Sequence, residues 1–210
     1  MNAIDPQDVE ALFTRADGTF LFARWGRPIV PVVFGVTEET ISVLKGAIEA
    51  LCVLTDHRMA ETDPELGANL MVFFVSDWSE LSGVPDLDRL VPDLGPLLAR
   101  LEAAEANQYR LFRFDADGAI RACFAFIRMD AHLADVPAET LALNQMVQAM
   151  LLWSDRAFGE TSPLALHEGQ TVLRPEIAEV LRAAYDPVLP AMSQDASHAL
   201  RLAARTGRRQ

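Results

Sequence analysis

The chain has 210 residues, half of them hydrophobic, a length and composition that suit one domain with a sizeable core and exclude wholesale disorder. Its 30 acidic residues against 18 Lys and Arg leave a formal charge of −12, which opposes nucleic acid and anionic membranes as general partners and favours solubility. No apolar run approaches membrane-spanning length, and the start MNAIDPQDVEALF lacks the basic, continuously apolar character of a signal peptide, so the expected location is the cytoplasm.

Asp5-Pro6 reads as a helix start, an acid cap followed by proline at the first helical position, with Val9, Leu12 and Phe13 on the apolar side. Residues 20–25 and 29–34 read as strands about a Gly26-Arg27-Pro28 turn, and Pro31 argues for an edge or a bulge. Thr37 caps a helix over 37–55 whose apolar face is Ile41, Leu44, Ile48, Leu51 and Leu54. After a polar connection, NLMVFFV at 69–75 is a continuous apolar run, the mark of a central strand. Val84-Pro85-Asp86-Leu87 and Val91-Pro92-Asp93-Leu94 each supply a proline and an acid at a helix start, the second helix running to about 106. Strands over 109–114 and 119–129 about Asp115-Ala116-Asp117-Gly118 form the clearest hairpin. Their arginines, Arg110, Arg113, Arg121 and Arg128, are expected to coat an exposed face or edge. Cys52 and Cys123 lie in apolar contexts and read as buried free thiols.

The longest helix signal is AETLALNQMVQAMLLWSD at 138–155, giving a central helix over 138–153 that is apolar round most of its circumference and so packed on several sides. Residues 156–171 carry no pattern, and helices follow from Pro175 to about 185 and from about 194 to 205. Arg201, Arg205, Arg208 and Arg209 make a frayed basic tail. The expected fold is one α+β domain over 1–210: a mixed, mostly antiparallel sheet of about five strands packed by helices, its core at 20–155 and a helical C-terminal region at 156–210.

His57, His132, His167 and His198 show no spacing that would pair them on a helix, and there is no CxxC, G-x-S-x-G or Gly-rich phosphate loop, so neither a metal nor a cofactor is expected. What remains is Asn144, Gln145 and Gln148 in the central helix. Their spacing is that of H-E-x-x-H, two zinc ligands on one helical face with the general base beside the first. Neutral amides are poor zinc ligands, and glutamine takes no proton from water, so the hydrolytic groups are missing. The other reading of the three amides is a hydrogen-bonded cluster in a buried or interface position.

In the same helix Gln148, Leu152 and Asp155 fit a pattern E-E-x-x-Q-x-L-G-L-x-N-D, with Asn144 and Gln145 at its two acids and Leu151 at its glycine. Tyr185-Asp186-Pro187-Val188-Leu189-Pro190-Ala191-Met192 fits a second pattern, L-Y-D-P-x-L-x-P-G-M, one residue shorter and with alanine for glycine. Together they resemble an uncharacterised bacterial family of zincin-like domains, mostly secreted and of unknown function. Arg24-Trp25, Pro28-Ile29 and Ala68-Asn69 look like that family's early strands, so the resemblance spans about residues 20–200. It implies a zincin-like α+β arrangement. The departures, no signal peptide and the paired acids neutralised, imply a cytoplasmic, catalytically inactive relative that acts through protein contacts or self-association. The alternative is a hydrolase-type enzyme whose site is assembled around the central helix from Asp155, Tyr185, Asp186 and a histidine.

Overall fold

The computed structural model describes residues 4–207. In chain order its elements are α1 (Pro6–Ala11), β1 (Phe22–Ala23), β2 (Pro31–Phe34), α2 (Glu38–Thr55), β3 (Leu70–Val75), a 3-10 helix (Trp78–Gly83), α3 (Leu87–Leu90) and α4 (Leu94–Ala103). There follow β4 (Gln108–Phe114), β5 (Ile120–Arg128), α5 (Ala131–Ala134), α6 (Ala138–Met150), β6 (Leu164–His167), β7 (Gln170–Leu173), α7 (Pro175–Ala184), β8 (Met192–Ser193) and α8 (Ser197–Ala203).

The main sheet runs β2-β3-β5-β4, the first three parallel and β4 antiparallel to β5. The two interior strands are covered on both faces, which is why LMVFFV and the core of β5 are nearly continuous apolar runs. Alternation splits them between two cores. Val72, Phe74, Cys123, Ala125 and Ile127 pack with α2 and α6, whereas Phe73, Phe124 and Phe126 pack with the 3-10 helix, α3 and α4. Pro31 falls on the edge strand β2, as its missing N–H requires.

The mixed α+β architecture is that expected, with two differences in detail. The main sheet has four strands, because the stretch at 20–25 narrows to β1, which pairs with β8 away from that sheet. Within the main sheet two pairings are parallel, while the three remaining pairings, β4·β5, β1·β8 and β6·β7, are antiparallel. The C-terminal region is not all helix either. Patternless 156–171 leads into the β6–β7 hairpin, whose Glu168-Gly169 turn has positive φ at both residues (49° and 80°).

Both repeated Val-Pro-Asp-Leu segments do start helices, α3 and α4, but Asp86 and Asp93 stand there in the left-handed region (φ 57° each) and make no side-chain cap. Cys52 and Cys123 are buried and free. Arg201 lies on α8 and Arg205 is tied to Asp186, whereas Arg208 and Arg209 lie outside the described residues. Among the described residues no helix is long and apolar enough to cross a membrane.

The central helix α6 stops at Met150, short of the expected 153. Its last carbonyls find partners from elsewhere in the chain: the Trp25 indole donates to Ala149 (2.8 Å), the Tyr185 hydroxyl to Met150 (2.8 Å) and the Trp153 indole to Val147 (3.0 Å). Leu151 is already extended and bridges Arg24, and Leu152 N–H donates to Ala23. The chain thus leaves the helix early and runs as an extended wall toward Asp155.

Candidate functional site

β4 is the edge of the main sheet, and its alternation decides what faces α6. Tyr109 and Leu111 pack into the core on the α4 side, while Phe112 packs on the α6 side with Gln108 and Arg110 beside it on the same face. Helical spacing brings Asn144 and Gln148 to one face of α6, and Gln145 points inward with only 1 % of its surface exposed.

These residues form one network. Arg110 donates through Nη1 to Gln148 Oε1 (3.0 Å) and through Nη2 to Gln108 Oε1 (3.3 Å) and to Gln145 Oε1. Gln145 Nε2 donates to Gln108 Oε1 (3.1 Å), and Gln148 Nε2 to Asn144 Oδ1. A guanidinium carries five N–H groups. Three are used here; Nε is buried with no partner, and among the described residues no carboxylate pairs with the cation. Burial pushes the Arg110 pKa down to about 10, so the group is still a cation at neutral pH.

The contrast with Asp63 is instructive. That carboxylate is buried, at 5 % exposure, where Arg110 is half-buried, and it accepts N–H groups from Glu65 and Leu66, an amide hydrogen bond from Asn69 (3.0 Å) and an ion pair from Arg27 (3.2 Å). Burial alone would raise its pKa; those partners bring it to about 2. Asp63 has an opposite charge beside it, whereas Arg110 has only dipoles.

The network opens on a cavity of about 710 Å³. One wall is β4 from Gln108 to Phe112, another is Asn144 and Gln148, and the far side is the extended Leu152–Asp155 stretch with Phe158, Glu160 and Arg15. Asp155 fixes that wall by accepting the Ala16 N–H (3.0 Å). A smaller cavity of about 370 Å³ lies at the carboxyl ends of β2 and β3 against α6; it is mostly apolar, and its Glu80 carboxylate is committed to the N–H groups of Ser76 and Asp77.

The structure therefore brings together four of the candidates, Asn144, Gln145, Gln148 and Asp155. Tyr185 and Asp186 lie elsewhere, past the end of α7. Tyr185 is buried under the Arg24 guanidinium (5.6 Å to the ring) and beside His57 (4.9 Å), and burial pushes its hydroxyl pKa up; Asp186 pairs with Arg205 and receives the Val188 N–H. The histidines are apart: His132 and His167 are exposed, and His198 packs on Phe22. Among the described residues no three His, Cys, Asp or Glu side chains gather as a metal site needs.

Two contributors escaped the sequence reading, Gln108 and Arg110. By alternation alone Arg110 reads as one of the surface arginines. Arg121 is exposed at its side chain and pairs with Glu65 (3.3 Å), Arg128 is half-buried over the Trp78 ring and pairs with Glu102 (3.5 Å), and Arg113 reaches the Leu90 carbonyl (3.2 Å). Arg110 differs because it lies on the strand face that Phe112 turns toward α6, where it meets Gln145 and Gln148. Comparison of the chain with protein-family models, with curated proteins and with solved structures gives no match.

Proposed function

We propose that this chain is a non-catalytic binding domain that works by contact with another protein, receiving an extended segment of it in the cavity between β4 and α6. The carrying observation is that the residues with zinc-peptidase spacing, Asn144, Gln145 and Gln148, spend their amides on one another, on Gln108 and on Arg110. They hold the Arg110 cation in place. The edge supports the same reading. The cavity runs along β4, whose outer side has no strand partner among the described residues, and an exposed sheet edge beside a cleft is the setting for strand addition by an extended peptide. The opposite edge, β2, is guarded by Pro31. A zincin-like ancestry of the kind the resemblance suggests is compatible with this use, its helix kept as scaffold.

The test is panning of the purified protein against displayed random peptides, with recovered sequences resynthesised and incubated with and without added zinc. Expected are peptides that bind one per chain and are recovered intact. Absence of any binder, or zinc-dependent cleavage whose rate falls in Gln145→Ala, overturns the proposal.

A further inference from the structure

We infer that Arg110 is the receptor for an acidic side chain, Asp or Glu, of the extended segment added along β4. This rests on the binding reading above and names the chemistry that it selects.

A strand paired to the outer edge of β4 sets one residue directly beside Arg110, with its side chain on the α6 face at cross-strand distance. On the inner side that neighbour is Ala125, which offers nothing to a cation. On the outer side the place is filled only when a segment is added. A carboxylate there meets Nη1, which has a second N–H beyond the one given to Gln148. Gln148 and Asn144 line the same wall, and their amides can turn to donate to the incoming oxygen. The cavity extends along β4 on both sides of Arg110, to Gln108 and to Phe112, so the acid belongs within the segment rather than at its end.

The network has the form of a pre-organised receptor. Each of Gln108, Gln145 and Gln148 offers an oxygen to one guanidinium, which fixes its orientation without neutralising it. No acid stands among these positions, so the charge is left for an incoming carboxylate, where Asp63 already has Arg27. The other charges lining the cavity, Arg15, Asp155 and Glu160, form no ion pair with Arg110 among the described residues.

The panned peptides provide the test, synthesised with amidated C-termini so that the only carboxylates are side chains. One acidic position common to the recovered peptides is expected. Its replacement by the matching amide should weaken binding to the native protein about thirtyfold or more. Arg110→Gln, which can still donate to Gln145, should bind acid and amide peptides alike. Gln145→Glu supplies a carboxylate to the guanidinium from inside; it should lose the acid preference while unfolding at a temperature no lower than the native chain. Peptides that bind with no acidic position, or an acid preference that survives in a folded Arg110→Gln, overturn the inference and leave the binding reading standing. Failure to recover any binder removes both.

Discussion

His198 is the histidine whose ionisation the fold resists most plainly. It is 1 % exposed, its ring lies 4.4 Å from Phe22, and neither ring nitrogen has a partner among the described residues. Burial, reinforced by Arg201, Arg205 and Arg24 and opposed by Asp195, lowers its pKa from 6.5 to about 4. The folded state favours the neutral ring, and the unfolded chain takes the proton first. Stability owed to this neutrality is complete above about pH 6.5 and is lost as the pH falls toward 4. Urea titrations should show the native chain losing on the order of 2 kcal/mol across that window. His198→Leu should flatten the slope and cost little at neutral pH, since no hydrogen bond is removed. An unchanged slope in a folded His198→Leu contradicts this. At the same scale, the three amides were visible in the sequence by their spacing, but their partner was not. Arg110 becomes conspicuous only when the hairpin is laid out in register, which puts it on the face shared by Phe112 and Cys123.

Elements were legible where the local signal agreed with the tertiary outcome. Thr37 caps α2, Asp5 caps α1, and Gly118 takes the positive φ (80°) that its turn needs. They are misread where partners far along the chain decide the matter, as at the end of α6, where Trp25 and Tyr185 donate to the final carbonyls. The junction of β2 with α2 is set by a close approach of the latter kind. Gly35 has φ 82°, and a Cβ there would lie 1.9 Å from the Phe74 carbonyl oxygen on the neighbouring strand. No side chain lies in the way to move aside, because the obstacle is backbone. Gly35→Ala should therefore lower stability by about 2 kcal/mol or more, read from the urea midpoint at constant slope. A loss below about half a kcal/mol would mean that the junction relaxes freely.

For the molecule as a whole, charge and cavity pull in different directions. A net charge of −12 repels an acidic segment at long range, so its capture rests on the local pairing at Arg110 and on strand pairing, not on electrostatic steering. The α+β class followed from the alternation of helix and strand signals. The placing of β4 at the edge, and hence of the cavity, did not, because strand order depends on which faces meet rather than on any one stretch. The most direct measurement is amide hydrogen exchange across the whole chain with and without a selected peptide bound. Strand addition predicts slowed exchange at outward-facing amides of 108–114, with smaller changes along β2 and over the β6–β7 hairpin. Protection confined to any other surface, with β4 unchanged, would contradict it.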